Sequence, residues 1–463
     1  MFFFFLCIII KNEVMIMMND VIVALATPPM NSALAIIRVS GDNAIELVEK
    51  MFSKELKNIS GNTMVYGFIV DKENKKNIDE VMIGIYRAPR SFTGENLVEI
   101  NCHGGMFIVN NIIKEAIKHG ARMAEKGEYT KRAYLNGKLD LIQAEAIHDM
   151  IMATSEGNVS VAMSSLKGKT SSVIDGLVDD ILDIRSLIEV NIDYPEYDEA
   201  SLITQFSLKE QLNKLKDKIN KTLNDGFLGK IITDGVKVAL VGKPNVGKSS
   251  LLNVLLQEDK AIVTDIAGTT RDVVEGKINL NGLTIHLYDT AGIREATDIV
   301  EKIGVSKSKE AIDKADVILL IFDGTNKLDD EDYKMLEMTE NKKRIIVLNK
   351  LDKGENITGL SGIEVSAKEN NIQVLKDELI KVIGINTKDY ENKPMLSNTR
   401  QIGLLKQASK YLDNAILAND NGLSVDLVAV DLQDCYYSLL DILGKRRQDE
   451  IIDSIFSKFC LGK

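Results

Sequence analysis

The chain has 463 residues, enough for about three domains, each able to bury its own core. Hydrophobic residues make up 45% and charged residues 27%, with only 6 prolines, which excludes a disordered or fibrous chain. A formal net charge of -11 excludes a general nucleic-acid coat, so any RNA contact has to come from a local basic cluster such as Lys445-Arg446-Arg447 or residues 126–132.

The chain begins MFFFFLCIII. That run is too short to span a bilayer as a helix. No basic stretch precedes it and no small-residue cleavage site follows it, so it is a poor signal peptide. Residues 1–17 read as an apolar start-site extension, and no stable membrane association is expected. The four cysteines, Cys7, Cys102, Cys435 and Cys460, are widely spaced and contain no C-x-x-C pair. They form neither a disulfide framework nor a zinc site, and a reducing cytoplasm fits them.

Residues 18–137 mix strand and helix signals. Runs 22–26 and 35–39 read as strands, and 44–51 and 109–119 as helices, so an α/β or α+β domain is expected. Residues 138–234 turn helical. Ile174, Leu177, Val178, Ile181, Ile184 and Ile188 recur at three- and four-residue spacing, one apolar stripe of a bundle helix. In residues 235–387 the apolar runs 236–241, 317–322 and 345–348 alternate with helical stretches, the pattern of a doubly wound α/β domain with both sheet faces covered. Residues 388–463 are helical again, with Ile402, Leu405, Ala408 and Leu412 on one stripe and Leu439, Leu440 and Leu443 on another. The helical segments on either side are expected to pack together, making the α/β domain an insertion.

Residues 242–249, GKPNVGKS, match G-x-x-x-x-G-K-[ST] between an apolar strand and a helix start. The glycines let backbone N–H groups close around phosphate oxygens, and the helix N-terminus adds positive potential. Asn245, Val246, Gly247, Lys248, Ser249 and Ser250 are placed on the nucleotide, with Lys248 at the terminal phosphates and the Ser249 hydroxyl on Mg²⁺. Gly268-Thr269-Thr270-Arg271-Asp272 looks like a switch I segment, with Thr270 as the second Mg²⁺ ligand. Asp289-Thr290-Ala291-Gly292 follows at a strand end; Asp289 reaches Mg²⁺ through water and the Gly292 N–H senses the γ-phosphate. Asn349-Lys350-Leu351-Asp352 ends the next strand but one. The Asp352 carboxylate accepts from guanine N1–H and the 2-amino group, a donor pair that adenine lacks. Backbone of Ser366-Ala367-Lys368 meets guanine O6. In order and spacing these motifs match the GTPase superfamily.

Hydrolysis needs a group that orients water. Ras-like GTPases place a Gln just after the D-x-x-G glycine. Here that position is Ile293, so another group must serve, and Arg294, Glu295 and Glu301 follow nearby. Asn245 inside the P-loop either helps bind a monovalent cation beside the phosphates or serves loop hydrogen bonding.

Longer markers then accumulate: ATPP at 26–29, SFTGENLVEINCHGG at 91–105, EYTKRAYLNGKLDLIQAEAI at 128–147, AIVTDIAGTTRD at 261–272, DTAGIREATDIVEKIG at 289–304 and the terminal FCLGK at 459–463. Through them the chain, from Asn19 to its end, resembles the MnmE (TrmE) family of tRNA uridine 5-carboxymethylaminomethyl modification GTPases. The resemblance implies a multidomain α/β plus all-α protein: an α+β folate-binding-like dimerisation domain, a helical bundle and an inserted Ras-like P-loop GTPase domain. It implies that Thr264, Asp265, Ile266, Ala267, Gly268, Thr269 and Thr270 surround the nucleotide. K⁺ would be held by Asn245 with backbone of Thr264, Ile266 and Thr269, and Glu301 would orient the water. It implies a 5-formyltetrahydrofolate or related one-carbon folate on Arg38, Glu99, Lys138 and Lys463, with Cys460 at that centre and needed for modification. The implied partners are a second copy of the chain, the FAD-dependent protein MnmG, and tRNA. Two segments depart from the family pattern, Met30-Asn31-Ser32 after ATPP and Lys445-Arg446-Arg447-Gln448 before the last helix, and the apolar extension is not a family feature. The rival reading is a ribosome-assembly GTPase without covalent chemistry, which would lack the N-terminal domain and Cys460. A third is a membrane-remodelling GTPase anchored by residues 1–10.

Overall fold

The computed structural model describes residues 20–193, 204–258, 276–289, 312–446 and 449–462. They form two compact units, one of residues up to His148 with those from Leu443 onward, the other of residues 149–442.

The first unit is built on a six-stranded sheet. Its strands are β1 (Ile22–Leu25), β2 (Leu34–Ser40), β3 (Thr63–Asp71), β4 (Lys76–Tyr86), β5 (Leu97–His103) and β6 (Arg122–Met123), in the order β3-β4-β5-β2-β1-β6. Neighbours run antiparallel except β6, which joins β1 in parallel. Side chains alternate across a strand. Ala35, Ile37 and Val39 therefore enter one core, where helices Ala44–Lys50 and Met106–Lys118 cover the sheet. Arg38 points to the opposite face, and the register sets it directly across from Glu99. The expected strands and helices of this part are present. The long hairpin of β3 and β4 was not singled out by sequence pattern, because β4 opens on polar residues.

A buried ion network fixes helix Glu128–Leu135 to the sheet. Arg132, 3% exposed, donates to Asp20 Oδ1 at 2.6 Å, Glu128 Oε1 at 3.0 Å and Glu95 Oε1 at 3.1 Å. Arg122 adds bonds to Glu128 at 2.6 and 2.9 Å. Burial opposes the Glu128 carboxylate, yet the bonds from Arg122 and the Glu125 N–H hold its pKa below the usual carboxylate range. Arg132, within one of the basic clusters considered for RNA, is thus consumed internally. Arg132→Met is expected to cost about 3–5 kcal/mol in urea unfolding, because Glu95 and Glu128 lose a buried partner. The Glu128 contribution is present above its unfolded pKa and is lost as pH falls through the lower folded value, so wild type should lose stability in acid through this network.

The chain's end belongs to the same unit. Helix Asp449–Phe456 and the turn after it bury Ile452, Phe456 and Phe459 against Leu141 and Ala144. Gly127, at φ +69°, lies where a Cβ would overlap the Phe456 carbonyl oxygen, and its N–H donates to the Cys460 carbonyl at 3.3 Å. Chain order groups these residues with the helical segment 388–442; their apolar side chains pack instead within the first unit.

In the second unit, helices Glu156–Leu166, Lys169–Asp193, Thr204–Asp234, Thr399–Asp420 and Val425–Leu443 accompany a second sheet. The stripe Ile174, Leu177, Val178, Ile181, Ile184 and Ile188 is buried, as are Ile402, Leu405, Ala408 and Leu412. Helix Thr204–Asp234 packs on Thr399–Asp420 closely: a Cβ at Gly226 would sit 3.3 Å from Leu396 Cβ and 3.5 Å from Ile402 Cγ1. The sheet emerges between these two helices. Its strands are β7 (Val236–Val241), β8 (Gly276–Leu280), β9 (Leu283–Asp289), β10 (Val317–Asp323), β11 (Arg344–Asn349) and β12 (Ile363–Glu364), in the order β12-β11-β10-β7-β9-β8. All pair in parallel except the β8–β9 hairpin. β10 reads VILLIFD and buries its first six residues, because apolar clusters cover both faces. Among the described residues no helix is long and apolar enough to cross a membrane.

Candidate functional site

A parallel sheet gathers its loops at the carboxyl ends of its strands, and the strand order reverses beside β7. The loop after β7 runs from Gly242 into helix Lys248–Glu258. Gly242 cannot carry a side chain, since a Cβ would overlap the Ile321 carbonyl oxygen of β10. Gly247 adopts φ +101° and Asn245 φ +66°, so the backbone curls as a phosphate cradle requires. Lys248 is 5% exposed, and its ammonium donates to the carbonyls of Gly242 and Lys243, both at 2.7 Å, which places the charge within the loop. Asn245 is exposed and makes no side-chain hydrogen bond among the described residues.

Three loops are pinned by one amide. The Asn349 Nδ2 donates to the Val246 carbonyl at 2.9 Å, and its Oδ1 accepts from the Ala367 N–H at 3.2 Å. Asn349 is 2% exposed, so these bonds are shielded from water. Its neighbour Lys350, at φ +69°, pairs with Asp323 Oδ2 at 2.7 Å. Burial works against the Asp323 carboxylate, but the bonds from Lys350 and Thr325 hold its pKa below the usual range. Asp352 Oδ1 accepts from the Ser366 hydroxyl at 3.0 Å, which aims the carboxylate beside the Ser366-Ala367-Lys368 backbone. A cleft of about 320 Å³ runs along the P-loop from Lys243 to Lys350.

Ser249 lies in the first turn of its helix, and Asp289 ends β9 in register with Leu240, just ahead of the P-loop. Mg²⁺ is a hard cation that takes few protein ligands and keeps its waters, and a serine in the first turn of this helix with an aspartate ending the neighbouring strand are residue types that suit it. Thr264, Asp265, Ile266, Ala267, Gly268, Thr269, Thr270, Thr290, Ala291, Gly292 and Glu301 lie outside the described residues, as does Lys463.

In the first unit Arg38 Nε donates to Glu99 Oε1 at 2.8 Å, and Arg38 NH1 donates to the Gly462 carbonyl at 3.3 Å. The guanidinium lies 5.6 Å from the Phe92 ring centroid. Lys138 Nζ donates to the Pro89 carbonyl at 3.0 Å, on the loop that carries Phe92. Burial and the nearby Glu99 raise the Tyr86 pKa. Phe459 stacks on His148 at 5.1 Å, and Cys460 beside it is exposed. Burial, with Lys458 nearby, pushes the His148 pKa down, which keeps the ring neutral near pH 7. Arg38 and Glu99 are therefore brought together with the chain's end, while Lys138 is tied to the adjoining loop. A guanidinium, a carboxylate and an aromatic ring suit a flat heterocycle with a carboxylate tail. The divergent residues Met30-Asn31-Ser32 are exposed, and two of them tie this loop to the turn before the second helix: Asn31 Oδ1 accepts from the Met106 N–H at 3.0 Å and the Ser32 N–H donates to the Gly104 carbonyl at 3.1 Å. Two residues were missed by sequence reasoning, Asp323 as the partner of Lys350 and Phe92 over Arg38. The first had a signal, the strand-ending Asp323-Gly324-Thr325.

The P-loop, Asp289, Asn349-Lys350-Leu351-Asp352 and Ser366-Ala367-Lys368, arranged on this sheet, define a guanine-nucleotide-binding P-loop GTPase. The family model for the MnmE helical domain matches residues 141–460, and that for the GTP-binding protein TrmE N-terminus matches residues 21–138. The tRNA modification GTPase MnmE of Lactiplantibacillus plantarum is 44% identical, over 96% of this chain and 98% of its own length. That of Staphylococcus aureus (strain Newman) is 43% identical, over 96% and 99%. The G domain of the T. maritima FeoB iron transporter matches 32% of this chain and 98% of its own at 27% identity, with a TM-score of 0.24. The chain belongs to the MnmE family of tRNA modification GTPases.

Proposed function

We propose that this protein is a K⁺-dependent GTPase that, with the FAD-dependent partner MnmG, adds the 5-carboxymethylaminomethyl group to the wobble uridine of certain tRNAs. GTP hydrolysis proceeds at the P-loop in a cytoplasmic homodimer. Mg²⁺ sits on Ser249 and Thr270, and Glu301 orients the water. K⁺ is held by Asn245 with backbone of Thr264, Ile266 and Thr269. The modification chemistry belongs to the first unit, where a one-carbon folate such as 5-formyltetrahydrofolate binds Arg38, Glu99, Lys138 and Lys463 beside Cys460.

The observation that carries this reading is the seating of the chain's end on the Arg38–Glu99 pair through the Gly462 carbonyl, with Cys460 exposed two residues away. A ribosome-assembly switch has no use for such a centre. The direct test is mass spectrometry of tRNA nucleosides from cells lacking the gene and from complemented cells. Loss of the modified wobble uridine, restored by the gene, is expected; unchanged wobble uridines overturn the reading.

The exposed, left-handed Asn245 supports the cation assignment. A fixed cation at the phosphates supplies charge that an arginine finger would otherwise provide. Hydrolysis in K⁺ should therefore exceed that in Na⁺ at equal ionic strength by at least about tenfold. Equal phosphate-release rates in the two salts would sink the assignment.

A further inference from the structure

The β8–β9 hairpin is the covalent link between two parts of the nucleotide site. Residues 264–272 precede β8 in the chain, and Asp289 ends β9. Its turn, Asn281-Gly282, is held by the helical part of the same unit. The Gly157 N–H, in the first turn of helix Glu156–Leu166, donates to the Gly282 carbonyl at 3.0 Å. No side chain fits at Gly157, because a Cβ would lie 2.6 Å from that carbonyl oxygen. Thr387 Oγ1 donates to the Asn281 carbonyl at 2.6 Å. Within β9, Thr284 is 1% exposed and its hydroxyl meets Thr154 Oγ1 at 2.9 Å.

Asn158 organises this contact. It is 5% exposed. Its Nδ2 donates to the carbonyls of Ile232 and Thr233, at 2.7 and 3.0 Å, at the end of the helix that leads into β7. Its Oδ1 accepts from the Ser155 hydroxyl at 2.9 Å and the Thr154 N–H at 3.1 Å. One side chain therefore ties the start of helix Glu156–Leu166 to the base of the P-loop strand, while its neighbours grip the hairpin. Two buried polar atoms close by in the chain, Thr233 Oγ1 and Asn279 Oδ1, have no hydrogen-bond partner among the described residues. Unpaired buried groups raise the energy of an arrangement and bring a second one within reach.

We propose that this contact is a joint through which the state of the nucleotide reaches the helical part of the protein, with Asn158 as its positioning residue. A shift of β8 or β9 as the phosphates change moves Gly282 against Gly157, and helix Glu156–Leu166 must follow or lose its bonds. The coupling passes through packed backbone and a shielded hydrogen-bond cluster, an element that both sites can bias.

Hydrogen exchange of the full-length protein tests this, with GDP and with the non-hydrolysable analogue GppNHp. Amides of residues 157–166 should exchange at rates differing by at least about fivefold between the two nucleotides, the low end of coupling between linked sites. Asn158→Ala should erase the difference and Thr387→Val should reduce it, with GDP affinity kept within about twofold, which is under 0.5 kcal/mol. If Asn158→Ala fails to fold, Thr387→Val, which removes one hydroxyl, carries the test alone. A merely structural contact would lower the melting temperature of the variants and leave the nucleotide-dependent difference intact. Equal exchange in the wild type, or a difference undiminished in the folded variants, overturns the proposal.

Discussion

Asp352→Asn is expected to weaken GTP binding by about 10⁴-fold, because a site built to pair with a substrate's donors rejects partners that leave its polar groups unmatched. Guanine offers two donors on one edge, N1–H and the 2-amino group. In the proposed site the Asp352 carboxylate would accept both, whereas asparagine opposes one of them with its own N–H₂. The same amide suits xanthine, which carries a carbonyl where guanine has the amine, so XTP should become the better ligand. The fold should survive, since the Ser366 hydroxyl, which now donates to Asp352 Oδ1 at 3.0 Å, finds an amide oxygen in the variant. Asn349 and its bonds to Val246 and Ala367 are untouched. Titration with fluorescent GTP and XTP analogues measures both changes. GTP affinity within tenfold of wild type would place guanine recognition elsewhere.

The nucleotide site was legible in the sequence because its demands fall on backbone. The loop requires glycine at Gly242, against the Ile321 carbonyl, and at Gly247, at φ +101°, and a carboxylate must follow β11 by a fixed step, so the pattern survives as a short string. The second sheet was legible for a related reason: strands buried on both faces, such as β7 and β10, read as unbroken apolar runs. The first unit was less so. Its strand β4 starts on Lys76-Asn77-Ile78-Asp79-Glu80, four polar residues around one apolar one, and periodicity alone does not mark such a stretch. The Arg38–Glu99 pair depends on a register between strands 61 residues apart, which no local pattern records. Residue chemistry made it compatible with a folate site but also with an ordinary ion pair, and only the resemblance to the family singled it out. Asn158 carried no motif, and its importance comes from where two helix ends and a hairpin meet.

The seating of the chain's end leads to the other large effect. Gly462 adopts φ +85°, and a Cβ there would overlap the Leu25 carbonyl oxygen and lie 2.8 Å from Ala26 Cα. Both neighbours are backbone held to β2, where Leu25 pairs with Ile37 and the Ala26 N–H donates to the Ile36 carbonyl at 2.8 Å, so neither yields readily. Gly462→Ala must therefore lift the tail off Arg38 and carry Cys460 with it. The helix before it should stay, because Ile452, Phe456 and Phe459 are held by Leu141 and Ala144. GTP hydrolysis, which belongs to the other unit, should continue near the wild-type rate, while modified wobble uridine should fall below detection. Leu461→Ala is the control, since that side chain is 43% exposed and its loss strains nothing; it should modify tRNA normally. Phosphate release and nucleoside mass spectrometry on the same preparations separate the two activities. If Gly462→Ala modifies tRNA as wild type does, the tail's seat on Arg38 is only packing, and the chemistry has to be sought away from Cys460. If it abolishes hydrolysis as well, the two activities do not separate at the tail, and the assignment of the modification chemistry to the tail alone fails.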